Sequence, residues 1–355
     1  VIGRALTLGQ AAAAGVALAR LARGRRRRAP LAAAAPRRRV TVVIPARDEA
    51  ARIGPCLAGL RGEDAEVVVV DDCSTDGTAE VAAAHGARVV AGREPPAGWV
   101  GKPWALQQGL EAARGEVVVS LDADTRPRPG LVGALDEALR GADFVTAGAR
   151  FVCDTPGERL LHPSMLASLV YRFGPADADA PVRRPERVIS NGQCTAVLRE
   201  RLLAFGGYRP AAGHMTDDAA QARALAAAGW SVAFRDGADL LEVKMHDSAG
   251  ETWREWGRSL AYPDVTSAAW QAADLAVVWL VLALPVLRAA AGRPARLDLA
   301  LLAVRAALLG ALARSYTRRG AAFWLSPLAD PATAARLTAS ALRPAREWRG
   351  RTYGA

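Results

Sequence analysis

The stretch EVVVSLDADTRPRPG, residues 116–130, decides the fold. A short run, Val117–Leu121, apolar but for Ser120, meets two carboxylates, Asp122 and Asp124, and then a proline- and glycine-rich turn. A run this short, near-continuous and β-branched reads as a strand buried on both faces. Working outward, the same pattern recurs. RVTVVIPA (39–46) and AEVVVVDD (65–72) read as buried strands, and ARVVAG (87–92) as a third. Between them lie helical segments. RDEAARIGPCLAGL (47–60) spaces Ile53, Leu57 and Leu60 on one face. STDGTAEVAAAHG (74–86) opens with capping residues and closes on Gly86, and GKPWALQQGLEAARG (101–115) closes on Gly115. Strands alternating with helices imply an α/β fold, a mostly parallel sheet covered on both faces. Ligands of such sheets bind beyond the carboxyl ends of the strands.

That rule locates the chemistry. Asp71 and Asp72 end one strand, and Asp122 and Asp124 end another. Paired carboxylates at a strand end need a cation or hydrogen-bond donors to offset their repulsion. Oxygen-only ligands suit Mg²⁺ or Mn²⁺, which hold phosphate oxygens in turn. Solvated turn residues are the plain alternative. No G-x-G-x-x-G or G-x-x-x-x-G-K-[ST] follows the first strand, which disfavours a dinucleotide dehydrogenase or a P-loop enzyme.

Composition sets further bounds. The 355 residues are 51% hydrophobic and 23% charged, so a sizeable core is expected. The net charge of +10 is carried almost wholly by arginine, since Lys102 and Lys244 are the only lysines. An alanine and arginine excess fits GC-rich coding, so the charge is not read as a nucleic-acid signal. Four scattered cysteines, with no C-x-x-C, exclude a disulfide scaffold and a zinc ribbon; reduced thiols facing the cytosol are the simplest reading.

The chain divides into three zones: 1–39, 40–250 and 251–355. In the first, residues 5–22 would make a helix of about 27 Å, near the ~30 Å of a hydrocarbon core. Arg25–Arg28 follow at once, a charge pattern that stays cytoplasmic. A surface amphipathic helix is the alternative. In the third zone, residues 269–288 are strongly apolar from Leu275 on, with Trp270 and Trp279 as interfacial anchors. Residues 297–314 carry Arg305 mid-span, which suggests a tilted, re-entrant or surface segment. AAFWLSPLA (321–329) reads as interfacial. Buried helices of a soluble domain are the alternative for all three.

The motifs together resemble a family 2 glycosyltransferase with a GT-A (Rossmann-like) fold. VVIPARDEAARI (42–53) is similar to its first strand and turn, and VVVDDCSTDGT (68–78) to its nucleotide-binding segment. SLDADTRPRPG (120–130) is similar to its metal-binding segment, and MTDDAAQARALAAAGW (215–230) to its catalytic-base helix. The resemblance covers about residues 38–262. GWVGKPWALQQG (98–109), ISNGQCTAVLRE (189–200), and WLSPLADP with REWRGRTY in the tail resemble membrane-bound members linked to carotenoid and hopanoid pathways, of the diaponeurosporenoate glycosyltransferase type.

The resemblance implies a role for each matching position. Pro45, Arg47 and Glu49 would border the nucleoside, with Asp72 against the base and Asp71 supporting it. Asp48 stands where the family has Asn. Lys102 would approach the diphosphate and Asp122 the ribose. Asp124 would bind Mg²⁺ or Mn²⁺, with His246 as a further ligand or a plain loop histidine. Asp218 would be the general base, oriented by Asp217; two acids stabilising a helix N-terminus is the alternative. Asn191, Gly192 and Gln193 would face acceptor or sugar. The Q-x-x-R-W motif of processive relatives is replaced by Glu255-Trp256-Gly257-Arg258-Ser259, which argues against polymer synthesis; Arg258 would keep a phosphate contact.

The expected function is inverting transfer of a hexosyl group from a nucleotide-diphosphate sugar, UDP-sugar by expectation, to a lipid or isoprenoid acceptor. It would take place at the cytoplasmic face of the cell membrane, with membrane helices flanking residues 40–250 and no nucleic-acid partner. A polyprenyl-phosphate sugar synthase, a non-catalytic nucleotide-sugar-binding scaffold and a nucleotidyltransferase stay open as alternatives.

Overall fold

The computed structural model describes residues 2–179, 182, 184–343, 347–348 and 351–352. Of the tail motif, Arg346, Arg349, Gly350 and Tyr353 lie outside the described residues. The chain forms two compact units, and both are discontinuous in sequence. One comprises Val1–Arg27, Phe151–Pro181 and Met245–Ala345; the other comprises Arg28–Arg150, Val182–Lys244 and Arg346–Ala355. These units cut across the three sequence zones.

The second unit holds the sheet. Its strands are β1 Val40–Ala46, β2 Glu66–Asp71, β3 Arg88–Ala91, β4 Val117–Leu121, β5 Thr125–Pro127, β6 Phe144–Gly148, β7 Arg150–Phe151 (where the chain leaves this unit), β8 Cys194–Leu198, β9 Val232–Asp236 and β10 Leu241–Val243. Seven form one sheet in the order β3-β2-β1-β4-β8-β6-β9. β1 runs parallel to β2 and β4, β2 to β3, and β6 to β9. The sheet is mostly parallel, as expected, with one strand reversed. β8 is antiparallel to both β4 and β6, so the sheet is mixed. A strand inserted against the direction of its neighbours needs no right-handed crossover to reach them, and the sequence between residues 149 and 193 makes the detour through the other unit.

The valine runs produce this core directly. Val42, Ile44, Val68, Val69, Val70, Val117 and Val119 are fully buried. β-branched side chains suit a pleat packed on both faces. The helix Gly101–Ala112 lies over β1 and β2 because Gly109 allows it: a Cβ there would stand 2.2 Å from Val43 Cγ1. Residues 28–39, assigned by sequence to an anchor, pack on this unit instead. Leu31 N–H donates to Asp236 O at 2.8 Å, and Asp136 accepts from the backbone N–H of Arg37 at 2.7 Å and from Arg38 Nε at 2.6 Å.

The other unit is helical. Two of its helices, Arg4–Arg25 and Ala268–Ala290, are long and apolar enough to cross a membrane, with mean hydropathy 1.4 and 1.9. The second contains a π-helical turn, Val278–Ala283, just before Pro285. Proline has no N–H and its ring crowds the carbonyl of the preceding turn, which widens the helix there. The third apolar stretch forms the helix Arg296–Leu312, and its mid-span charge is not surface-exposed. Arg305 is buried and forks onto Asp330, Nε to Oδ2 at 2.8 Å and Nη2 to Oδ1 at 3.1 Å. An unpaired guanidinium in an apolar interior is costly, so the interior supplies its partner.

Candidate active site

The strand directions gather the acidic positions. β1, β2 and β4 run parallel, so Ala46, Asp71 and Leu121 finish at one edge of the sheet. β8 runs the other way and starts there, with Cys194 opposite Leu121. The loop Asn191–Gln193 therefore arrives beside Asp122, and Asp122 N–H donates to Gln193 O at 3.0 Å.

The β1 and β2 loops fasten each other. Arg47 Nη1 donates to Asp72 O at 2.7 Å, and Asp72 N–H to Ala46 O at 2.8 Å. Asp48, at φ 52, accepts from Thr75 N–H at 2.8 Å while its own N–H donates to Ser74 Oγ at 3.0 Å. Aspartate tolerates the left-handed region better than most residues, so this position keeps its turn with Asp. Glu49 N–H donates to Thr78 Oγ1 at 2.9 Å. Asp72 is buried; Asp71 is partly so.

Lys102 is the centre. Nζ lies 2.7 Å from Asp122 Oδ1 and 2.9 Å from Oδ2. Burial opposes its charge, but Asp122, Asp217 and Asp218 outweigh burial and hold the ammonium above the usual lysine range. Asp217 and Asp218 open the helix Asp217–Ala227. Burial pushes the Asp217 carboxyl up to about 7; Lys102 opposes that, and the charges of Asp218 and Asp122 add to it. Burial raises Asp218 too, against Lys102 and against hydrogen bonds from the backbone N–H groups of Ala219 and Gly192. The Gly192 N–H reaches Asp218 Oδ2 at 3.1 Å. A Cβ on Gly192 would lie 2.9 Å from Asp218 Cβ and 3.5 Å from Lys102 Nζ.

Asp124 sits deeper. Its Oδ1 is buried without a hydrogen-bond partner, and burial, with the charges of Asp122 and Glu49, pushes the carboxyl up to about 7. A buried carboxylate oxygen with no donor suits a cation. Among the described residues no group of three or more His, Cys, Asp or Glu side chains is arranged to hold a metal. The donor set therefore fits an ion held by one or two carboxylates that completes its shell from ligand and water, as Mg²⁺ and Mn²⁺ commonly do.

The structure thus brings together Lys102, Asp122, Gly192, Asp217 and Asp218, with Asp124, Arg47, Glu49, Asp71 and Asp72 along the same strand ends. Asn191 is a brace of the loop: Nδ2 donates to Ala147 O at 2.9 Å, and its carbonyl accepts from Thr146 Oγ1 at 2.9 Å. Gln193 is buried behind it. His246 and Arg258 belong to the helical unit. There His246 is buried within electrostatic reach of His162, and Arg258 pairs with Glu255 at 3.1 Å.

One residue escaped the sequence reading. Tyr208 is buried, is hydrogen-bonded through its side chain to Thr195, and is close enough to Asp217 and Lys102 to feel both charges; burial raises its phenol. Its backbone N–H donates to Gln107 Oε1 at 2.8 Å. The signal was the pair Gly206-Gly207 ahead of it, both at positive φ, where a Cβ on Gly207 would meet Gln107 Oε1.

With this geometry in view, comparison with known proteins is informative. Residues 41–203 match the model of Glycosyl transferase family 2. An uncharacterised glycosyltransferase of Mycobacterium tuberculosis is 40% identical over 115 residues, 31% of this chain and 49% of that protein. A 4,4'-diaponeurosporenoate glycosyltransferase of Staphylococcus aureus is 40% identical over 88 residues, 24% of each chain. The chain thus spans about half the length of the mycobacterial relative and a quarter of the staphylococcal one. Among solved structures, the mannosyltransferase PcManGT of Pyrobaculum calidifontis, in complex with GDP-Man and Mn²⁺, aligns over 96% of this chain and 99% of its own. Its TM-score is 0.57 at 22% identity, which shows a shared fold. Residues 41–203 are thus similar to family 2 glycosyltransferases, and the chain shares its fold with a solved mannosyltransferase.

Proposed function

We propose that the chain is an inverting, nucleotide-sugar-dependent glycosyltransferase that moves a hexosyl group from a UDP-sugar to a lipid or isoprenoid acceptor at the cytoplasmic face of a membrane. The observation that carries the transfer chemistry is the convergence of Asp122, Asp217 and Asp218 on Lys102. A single cation facing three carboxyl groups at a strand-end site is placed to meet an incoming diphosphate. The 40% identity to a 4,4'-diaponeurosporenoate glycosyltransferase, together with the two long apolar helices, supports the acceptor class.

The residue roles follow from position. Arg47, Glu49, Asp71 and Asp72 line the strand ends where the nucleoside would rest. Lys102 would bind the diphosphate and Asp122 the ribose. Asp124, with its unpartnered buried oxygen, would hold Mg²⁺ or Mn²⁺. Such an ion, when bound, supplies positive charge to the departing diphosphate. Asp218 accepts the proton of the acceptor hydroxyl as that oxygen forms its bond to the anomeric carbon. The bond from the anomeric carbon to the diphosphate breaks on the opposite side, so configuration inverts. Asp217 would orient Asp218.

The test uses donor turnover with a membrane-lipid extract. Asp218→Asn should lower the transfer rate about 10²–10⁴-fold while nucleotide-sugar binding persists. Equal product from both forms would remove Asp218 as the base. Comparing UDP- and GDP-sugars in the same assay identifies the base of the donor.

A further inference from the structure

The helical unit carries an apolar tip that its own packing does not account for. In the short helix Gly320–Trp324 and the turn Ser326–Ala329, Phe323 and Ser326 are fully buried. Phe323 packs in a cluster with Cys153, Leu309 and Tyr316. Between and after these anchors the large side chains point the other way. Trp324 and Leu325 are each 52% exposed, and Leu328 is 64% exposed. Trp324, Leu325 and Leu328 thus present apolar side chains to the outside of an element that Phe323 and Ser326 anchor.

Charge adds a direction to this tip. Arg314, Arg318 and Arg319 precede it, all exposed, and residues 313–329 contain no carboxylate. Arg318 reaches Asp154 at 3.5 Å with its side chain still 66% exposed, and Arg319 Nε donates to Ala313 O at 2.8 Å. An exposed tryptophan with leucines beside it, rimmed on one side by arginines, matches the chemistry of an anionic bilayer surface. Indole prefers the headgroup level, and guanidinium groups bind lipid phosphates. A soluble partner would need a complementary acidic rim around an apolar pocket; a bilayer supplies both over any area. Nearly all exposed large apolar side chains belong to this helical unit, Val182 being the exception among the described residues.

We propose that residues 314–328 form an interfacial docking tip. In it Trp324, Leu325 and Leu328 enter the headgroup–acyl boundary of an anionic membrane, and Arg314, Arg318 and Arg319 bind its phosphates. This contact is separate from the two long apolar helices. It fixes the orientation of the helical unit against the surface. It rests on the proposed membrane acceptor for its purpose, and its test is independent of catalysis.

The experiment uses the full chain reconstituted into phosphatidylglycerol-containing or pure phosphatidylcholine vesicles. An environment-sensitive fluorophore is placed at Leu328→Cys, with Ala228→Cys on the sheet unit as the control site. In anionic vesicles the label at 328 should shift to the blue and be quenched by headgroup-level spin-labelled lipid, while the label at 228 stays aqueous. Arg318→Gln/Arg319→Gln should lower the inserted fraction about tenfold in anionic vesicles and leave it unchanged in neutral ones. Trp324→Ser/Leu325→Ser should lower it in both, and circular dichroism of each variant checks folding. An aqueous label at 328 in protein that floats with vesicles overturns the proposal. So does failure of the protein to float, and so does a 328–328 disulfide, which would show a second copy covering the tip. Donor turnover measured in detergent on the same samples separates the outcomes. Its loss counts against glycosyl transfer, and an inserted tip with no turnover leaves the docking surface standing.

Discussion

Lys102 is held by a carboxylate that a donor would disturb, and this makes it the most informative single residue. Its ammonium offsets the burial that raises Asp217 and Asp218. The proposed transfer needs Asp218 charged, so the rate should rise with pH as that carboxyl ionises. Lys102→Gln removes the offset, both carboxyls become harder to ionise, and the acid limb of the kcat profile should move to higher pH. The donor KM should rise as well. A variant with a raised KM and an unmoved acid limb would mean that Lys102 binds diphosphate without tuning the base. Gly192 asks the complementary question. Its N–H stabilises the charged form of Asp218, and its missing side chain leaves room for that carboxylate. Gly192→Ala should lower kcat about tenfold or more by displacing the base, with donor KM little changed, since a misplacement near 1 Å can cost about 10²-fold. An equal loss in KM alone would return Gly192 to the acceptor-facing role expected from sequence.

The elements show why some of this was legible and some was not. β1, β2 and β4 were readable because each is a short β-branched run with a buried centre, a pattern that depends on no distant partner, and β3, a half-buried edge strand, was readable from its short valine pair. Their acidic ends were readable for the same reason. β8 was read as a motif and not as a strand, since its direction is set by pairing with β4 and β6 across more than 40 residues of chain. Tyr208 was missed because its meaning lies in what folds over it. The helix Gly101–Ala112 carries the clearest element-scale prediction. Gly109 reads in sequence as an ordinary helix-weakening residue, yet its missing Cβ is what lets the helix approach β1 and β2. Gly109→Ala should gain helix propensity and still destabilise the sheet unit, by about 1–3 kcal/mol, because the new methyl meets Val43 and Val70. Chemical denaturation checks the sign. A more stable variant would mean that the helix can move off the sheet at little cost.

At the scale of the molecule, the helical unit is fastened by polar pairs inside apolar helices. Arg172 is buried and meets Asp274, which also meets Arg20 of the first helix at 3.4 Å. Gln10 Nε2 donates to Asp298 Oδ1 at 2.7 Å, and Arg288 reaches the same carboxylate at 3.3 Å. Arg305 and Asp330 form the most enclosed pair, and Ser164 Oγ donates to Asp330 at 2.7 Å. In sequence Arg305 reads as an interruption of a membrane-like run. In the fold these polar pairs are the contacts that specify which helix lies beside which, something that leucine and alanine, fitting almost any neighbour, do poorly. A buried pair adds little stability relative to a well-packed apolar pair, but breaking one side leaves a charge that the interior cannot solvate. Arg305→Leu should therefore cost about 3–5 kcal/mol, read as lost thermal stability of the detergent-solubilised chain. Arg305→Leu/Asp330→Leu should recover much of that loss. A double variant no more stable than the single would show that Arg305 is held by its packing and that the carboxylate is not what it answers to.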